Sequence, residues 1–155
     1  MGNIIKINIE NVNIRVLEKK DLKKGFLETL GNLNNQIPSI ALGKEIFNYI
    51  KENDCYIIYV AEYSEKIVGT ITLLIEQKFI HNGGKVCHLE DVCINKKYER
   101  NHIGTRLVEK AILEAKRKNC YKIILDCSLE NCSFYKHFGF QKKEIQMRKN
   151  LNEEN

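Results

Sequence analysis

The residues best suited to chemistry lie between positions 86 and 108, Val-Cys-His-Leu-Glu-Asp-Val-Cys-Ile-Asn-Lys-Lys-Tyr-Glu-Arg-Asn-His-Ile-Gly-Thr-Arg-Leu-Val. An apolar strand carries Glu90 and Asp91 at its middle, gives way to a basic loop, and the loop opens directly into a helix at Ile103. A helix start presents backbone N–H groups that lack intrahelical partners, at the positive end of the helix dipole, and so forms a ready cradle for phosphate. Two acids beside such a cradle point to group transfer from a phosphorylated donor. In a regular strand adjacent side chains face opposite ways, so Glu90 and Asp91 reach one cleft only if the strand bulges or one of them acts through its backbone. The plainer alternative is solvation at a sheet edge or a salt bridge, since an unpaired buried acid is costly.

The elements that must position these residues are legible in the periodicity. Asn13–Glu18 alternates as a first strand, and Asp21 suits the N-cap of a helix reaching Leu33. After a polar break at Asn32–Pro38, Lys44–Lys51 reads as a short helix. Cys55–Tyr63 and Ile67–Gln77 form a hairpin, and Asn82-Gly83-Gly84 turns Lys78–His81 into Lys85–Asn95 as a second one. Ile103, Leu107, Ala111 and Ala115 recur every fourth residue as an amphipathic helix, with Asn119 as its left-handed stop. Lys122–Cys127 is a continuous apolar run expected to be buried on both faces of a sheet. Asn131–Phe138 is a short aromatic helix ended by Gly139, and Phe140–Met147 returns as a last strand. This order predicts a mixed α/β (α+β) sheet in a single domain.

Composition narrows the function. The chain has 155 residues, enough for a sizeable core, and no apolar run near the roughly 20 residues of a membrane span. Lys6 stands where a myristoylation signal after Gly2 needs Ser or Thr, and no secretory signal is present, so a soluble cytoplasmic protein is expected. The net charge is +5, and much of the lysine lies in scattered clusters at 19–24, 116–118, 142–143 and 148–149, which disfavours a nucleic-acid interface and suits a small anionic ligand. The six cysteines, Cys55, Cys87, Cys93, Cys120, Cys127 and Cys132, form no Cys-x-x-Cys pair and read mostly as buried free thiols. No metal site is expected, because Cys87 and His88 are adjacent and face opposite ways.

The element order resembles the GNAT superfamily of acyl-CoA N-acyltransferases. Four segments in order, Lys78-Phe-Ile-His81, His88-Leu-Glu-Asp-Val92, Cys120-Tyr-Lys-Ile-Ile-Leu-Asp-Cys127 and Glu130-Asn131 with Phe134-Tyr135 and Gly139-Phe140, resemble the branch that acetylates glucosamine 6-phosphate. The resemblance implies an N-terminal extension over 1–11, a GNAT domain over 12–150 and a tail over 151–155. It also implies acetyl transfer from acetyl-CoA to the amine of D-glucosamine 6-phosphate, by direct attack in a ternary complex. The product feeds UDP-N-acetylglucosamine synthesis, and the enzyme works as a homodimer with shared active sites.

The same resemblance distributes roles. The pantetheine arm lies along Val92, Cys93 and Ile94, and the pyrophosphate against Arg100, Asn101, His102, Ile103, Gly104 and Thr105. Glu99 and His102 depart from the family pattern there, which has Gln or Arg at the first position and glycine at the second; Arg100 can compensate with charge-assisted bonds. Asp91 orients the amine or takes its proton, aided by the Asp126 backbone carbonyl, which also lies among the donor contacts. Tyr135 donates to the leaving thiolate, and Asn131 contacts CoA unless it simply caps its helix. The sugar phosphate falls to Asn34, Lys78, Phe79, Ile80, His81, Glu90, Asp91, Val92, Tyr121, Lys122 and Lys149, with Tyr121 and Lys122 supplied by the partner chain. Arg148 or Lys149 stands in for a family arginine that aligns near Asn150. The alternatives are a GNAT enzyme for another amine, such as a protein N-terminus or a polyamine, and a non-catalytic acyl-CoA binding module.

Overall fold

A computed structural model describes residues 3–151; Gly2 and the tail from position 152, read above from sequence alone, lie outside the described residues. The chain divides into two compact units, one ending at Leu125 and the other beginning at Asp126.

The first unit is built on a five-stranded sheet in the order β1 (Asn13–Val16), β2 (Tyr56–Tyr63), β3 (Lys66–Gln77), β4 (Lys85–Ile94) and β5 (Cys120–Leu125). The first four strands are antiparallel neighbours, and β5 joins β4 in parallel, so the expected mixed sheet is present. Tyr63 pairs with Lys66, leaving Ser64 and Glu65 as a two-residue turn with left-handed φ values of 47° and 62°. That is the turn geometry that matches the strand twist.

Both faces of β2 are covered, as its alternation requires. Ile58 and Val60 pack with Ile67 under Leu22, Phe26 and Leu27, and against Ile40, Phe47 and Ile50 of helix α2 (Ile40–Lys51). Tyr59, pointing the other way, donates its hydroxyl to Glu114 at 3.1 Å on helix α4 (Ile103–Arg117). The buried face of α4 is Ile103, Leu107, Val108, Ala111 and Ala115. It lies so close to β3 that a Cβ on Gly69 would meet Ile103 and Leu107 side chains at 3.0 and 3.1 Å.

Several local expectations give way to tertiary structure. The helix expected from Asp21 to Leu33 is a 3-10 turn (Lys19–Lys23) followed by α1 (Phe26–Leu30). Between them Gly25 takes φ 97°, where a Cβ would sit 3.1 Å from the Ile67 carbonyl. Asp21 is not the N-cap: Glu18 is, and Asp21 reaches back as the third residue of a capping box. Helix α2 begins four residues before the expected Lys44, because Ser39 caps it by accepting from the Leu42 N–H at 3.3 Å. Lys78–His81 is not a strand. Gln77 ends β3, a single turn α3 (Ile80–Gly83) follows, and β3 itself is the partner of β4. The Lys122–Cys127 run is not buried on both faces: β5 lies at the end of the sheet, with Tyr121 and Ile124 exposed.

The second unit holds a 3-10 turn (Leu129–Asn131), α5 (Cys132–Lys136), and Gly139 at φ 86° ending the helical stretch. Phe134 sits edge-on to Tyr135 and Phe138, and Tyr135 to Phe140. The strand expected over Phe140–Met147 does not form; those residues have no regular secondary structure, and Ile145 and Met147 are almost fully exposed. Cys55 and Cys127 are exposed, contrary to the buried reading, whereas Cys87 and Cys93 are buried.

Candidate active site

The centre of β4 is irregular where the acids lie. Thr70 pairs with Cys93 and Thr72 with Glu90, so Ile71 on β3 is opposed by two residues, Asp91 and Val92. That is a β-bulge, and Asp91 takes the left-handed conformation it needs, at φ 48°. An extra residue shifts the alternation, and both Glu90 and Asp91 stand exposed while Leu89 and Cys93 on either side are buried. The bulge is held from behind: the Cys93 thiol donates to the Thr29 carbonyl at 3.0 Å, and the Thr29 hydroxyl donates to the Ile67 carbonyl at 2.9 Å. Burial foremost, then Asp91 and Glu99, push the Cys93 thiol up to about 11, so it stays a neutral packing group. Any role for Cys93 toward a ligand therefore falls to its backbone.

The sheet also opens at this point. Pairing of β4 with β5 runs from Lys85 and Cys120 to Leu89 and Leu125 and stops there. Past the bulge the β5-side edge of Asp91–Ile94 has no strand partner among the described residues, while β3 continues to hold the other edge through Gly69 and Thr70. An exposed edge of this kind accepts an extended chain as an added strand.

The loop that follows leads into α4. Lys96–Tyr98 is a 3-10 turn, and Arg100 and His102 both adopt left-handed φ, 59° and 60°. His102 is exposed and occupies the N-cap position without a side-chain cap. The first helical bond runs from the Arg106 N–H to the His102 carbonyl, so the N–H groups of Ile103, Gly104 and Thr105 precede the ladder. Glu99 and Arg100 are exposed. Asn101 is not: its side chain is buried, with Nδ2 donating to the carbonyls of Ile5, Tyr98 and Glu99 and Oδ1 accepting from the Ile7 N–H. Arg106 donates to the carbonyls of Ile9 and Val12. The segment 5–12 is thus bound along the back of the loop, a contact that residue types alone did not signal.

A second group of expected residues meets at the β3–β4 turn. His81 and Asn82 have left-handed φ, and the His81 ring packs on Tyr121 at a 37° tilt with centroids 4.3 Å apart. A Cβ on Gly84 would lie 2.8 Å from the Tyr121 ring, so glycine permits this approach. Lys122 stands over the Tyr121 ring at 5.8 Å. Phe79 is fully exposed and Ile80 largely so. Lys78 pairs with Glu76 at 2.5 Å, and the same carboxylate meets His88 Nε2 at 2.9 Å, which together hold Glu76 below the usual carboxylate range. Glu76 is a residue the sequence reading missed; its i, i+2 spacing to Lys78 across the strand end was the available signal. Asn34, by contrast, is spent locally, its Oδ1 accepting from the Gln36 N–H at 2.9 Å.

In the second unit the Tyr135 ring is buried between Phe134 and Phe140, and burial, with Cys127 adding to it, pushes its phenol up. The hydroxyl therefore stays protonated and able to donate. Asn131 is helical at φ −84° and makes no side-chain cap, so the capping role is not its own. The Asp126 carboxylate accepts from Gln146 Nε2 at 2.6 Å. Arg148 and Lys149 are exposed. Among the described residues no three His, Cys, Asp or Glu side chains cluster as metal ligands, and no helix is long and apolar enough to cross a membrane.

The sequence matches the acetyltransferase (GNAT) family over residues 22–140. The glucosamine 6-phosphate N-acetyltransferase of Arabidopsis thaliana is 38% identical over 146 residues, 90% of this chain and 97% of that protein. Glucosamine 6-phosphate N-acetyltransferase 1 of Dictyostelium discoideum is 36% identical, over 89% of this chain and 90% of its own. The crystal structure of the Arabidopsis thaliana enzyme matches with a TM-score of 0.87 at 37% identity, over 91% of this chain and 99% of that one.

Proposed function

The chain belongs to the GNAT acetyltransferase family, and from that premise we propose that it transfers the acetyl group of acetyl-CoA to the amine of D-glucosamine 6-phosphate. The observation that carries the reading is the bulge at Asp91 beside an open sheet edge, in a strand that runs on toward the N-terminus of α4. Extended-chain pairing and a row of N–H groups suit a donor with an amide-containing arm and a pyrophosphate.

Acetyl-CoA supplies an activated acyl group and a thiolate leaving group. Val92, Cys93 and Ile94 offer main-chain groups to the arm, and Arg100, His102, Ile103, Gly104 and Thr105 flank the pyrophosphate position. Asn101 shapes that loop from behind, since its side chain is taken up by the backbone of residues 5–7 and 98–99. Asp91 orients the acceptor amine or takes its proton, with the Asp126 carbonyl as a second orienting group. An amino-sugar amine is partly neutral near pH 7, so modest base assistance suffices. The Tyr135 hydroxyl donates to the leaving sulfur, and Asn131 contacts the donor. Direct attack in a ternary complex needs no acyl-enzyme, which accords with the buried, protonated state of Cys93.

Lys78, Phe79, Ile80 and His81, with Glu90 and Val92, form the acceptor side. Tyr121 and Lys122 serve the second site of a homodimer, with Lys149 and Asn34 as further contacts. Residues 12–150 act as the transferase domain, in the cytoplasm, supplying UDP-N-acetylglucosamine synthesis. Release of free CoA thiol from acetyl-CoA with glucosamine 6-phosphate, compared with glucosamine, spermidine and a peptide, tests this. Release with the peptide but not with the sugar phosphate overturns it.

A further inference from the structure

Two of the six cysteines stand together in the second unit. Cys127 and Cys132 have their Sγ atoms 3.7 Å apart, and the Cys132 thiol also points at the Ser128 carbonyl at 3.6 Å. The chain between them is a tight turn: Ser128 is extended at ψ 158°, Leu129–Asn131 forms a 3-10 turn, and the Asn131 N–H bonds back to the Ser128 carbonyl at 3.1 Å. Cys132 is the first residue of α5. Cys127 is exposed and Cys132 half-exposed, whereas Cys87 and Cys93 are sealed in the sheet. Cys55 is exposed and Cys120 half-exposed as well, but both lie in the first unit, at the starts of β2 and β5. Position, exposure and proximity thus single out this pair.

We propose that Cys127 and Cys132 are a dithiol site that closes into an intramolecular disulfide by exchange with a small-molecule disulfide of the glutathione class. A disulfide needs the sulfurs at about 2.0 Å, so closure requires side-chain rotation within a short exposed turn. In the first step the Cys127 thiolate attacks one sulfur of the glutathione disulfide; a mixed disulfide forms and one glutathione thiolate leaves and takes up a proton. In the second, Cys132 loses its proton to solvent and attacks the Cys127 sulfur, and the second glutathione thiolate leaves. Two protein thiols are oxidised to one disulfide, and one glutathione disulfide is reduced to two thiols. Cys127 lies at the surface, and partial desolvation there, followed by the hydrogen bond and charge of Cys132, pushes its thiol up, so the first step accelerates as pH rises. The chemistry of the pair stands apart from the acetyl-transfer reading, since its readout needs no substrate.

The test uses the whole protein, incubated with glutathione disulfide, quenched with an alkylating agent and digested with trypsin. Cleavage after Lys122 and Lys136 leaves both thiols on one peptide, 123–136. The expected product is that peptide lighter by two hydrogens, unalkylated, and restored by dithiothreitol. With Cys132→Ser the same peptide instead retains one glutathione on Cys127, because no second thiol resolves it. The proposal is overturned if the wild-type peptide keeps a stable glutathione adduct, or remains doubly alkylated while Cys55 in the same sample is glutathionylated.

Discussion

Asn101 Nδ2 donates to the carbonyl of Ile5 at 2.8 Å, while Asn101 Oδ1 accepts from the Ile7 N–H at 3.2 Å. One buried amide therefore clamps an N-terminal segment to the loop ahead of α4, and it also satisfies the Tyr98 and Glu99 carbonyls within that loop. Asn101→Ala removes these bonds together and leaves partly buried carbonyls without partners, at a cost of about 1–3 kcal/mol. The loop it shapes is the proposed pyrophosphate site, so the Michaelis constant for acetyl-CoA should rise several-fold while that for the sugar phosphate stays nearly constant. Deleting residues 2–9 should reproduce the effect. Equal changes for both substrates would show that the clamp does not act on the donor loop.

His102 holds a left-handed conformation at the N-cap, where glycine carries no Cβ penalty. His102→Gly should relieve strain of about 1 kcal/mol, offset in part by the greater freedom of the unfolded chain. Steady-state kinetics should register it as a change in the Michaelis constant for acetyl-CoA larger than that for glucosamine 6-phosphate. Comparable shifts in both would remove His102 from donor binding.

Asp91 carries the bulge and the proposed amine contact at once, and two variants separate these tasks. Asn tolerates left-handed φ well, so Asp91→Asn should fold with little change in thermal midpoint while turnover falls by about a hundredfold. Asp91→Ala should lose the same activity and additionally about 1 kcal/mol of stability, since alanine meets the Cβ clash at φ 48° without the local side-chain hydrogen bonding by which Asp and Asn tolerate it. If Asp91→Asn retains full turnover, the carboxylate plays no part in the chemistry.

Tyr135 is the matching case on the leaving-group side. Tyr135→Phe keeps the ring contacts with Phe134 and Phe140 and deletes only the hydroxyl. Turnover should fall by about a hundredfold with both Michaelis constants nearly unchanged. Because burial holds the phenol protonated beyond its usual range, the wild-type rate should not decline as pH rises toward about 10 through titration of this group. Unchanged turnover in the variant would exclude Tyr135 from the mechanism.

Much of this architecture is visible in local pattern, and the exceptions share a cause. β2 and β3 are legible because β-branched residues alternate between two covered faces, and α4 because Ile103, Leu107, Ala111 and Ala115 repeat at the helical period. Gly25 breaks an otherwise helical stretch because the Ile67 carbonyl, forty-odd residues away, crowds that position. Lys78–His81 looks extended by composition, but the Lys78 N–H closes on the Gly84 carbonyl at 2.9 Å, His81 and Asn82 turn through left-handed φ, and Gly84 lets Tyr121 pack against that turn. The bulge is the instructive case. Two adjacent acids in an apolar strand announced that something irregular was needed, yet no residue type there specifies left-handed φ, and only the β3 register shows where it falls.

Asp21 illustrates the same dependence on distant partners and yields a test of stability. Its carboxylate is fully buried yet accepts two bonds from the Arg15 guanidinium, at 2.7 and 2.8 Å, and one from the Glu18 N–H at 2.8 Å. Arg15 is in turn bonded to Glu62 at 2.8 Å, which ties the 3-10 turn to β1 and β2. Burial pulls the Asp21 carboxyl up, but the Arg15 hydrogen bonds and charge, with the Glu18 N–H, outweigh it and leave the group below its ordinary value. A lowered carboxylate contributes stability that is present above the unfolded value of about 3.9 and is lost as pH falls through the folded one. Arg15→Ala leaves a buried charge without its partner and should cost about 3–5 kcal/mol at pH 7. Without Arg15, burial is opposed only by the Glu18 N–H and the charge of Lys20, so the carboxyl moves up, and the urea midpoints of the variant and the wild type should converge as pH drops below about 4. Arg15→Met combined with Asp21→Leu removes both charges and should recover most of the loss at pH 7. A double variant as unstable as Arg15→Ala, or a gap between wild type and Arg15→Ala that does not narrow in acid, would mean the pair is not what secures the turn.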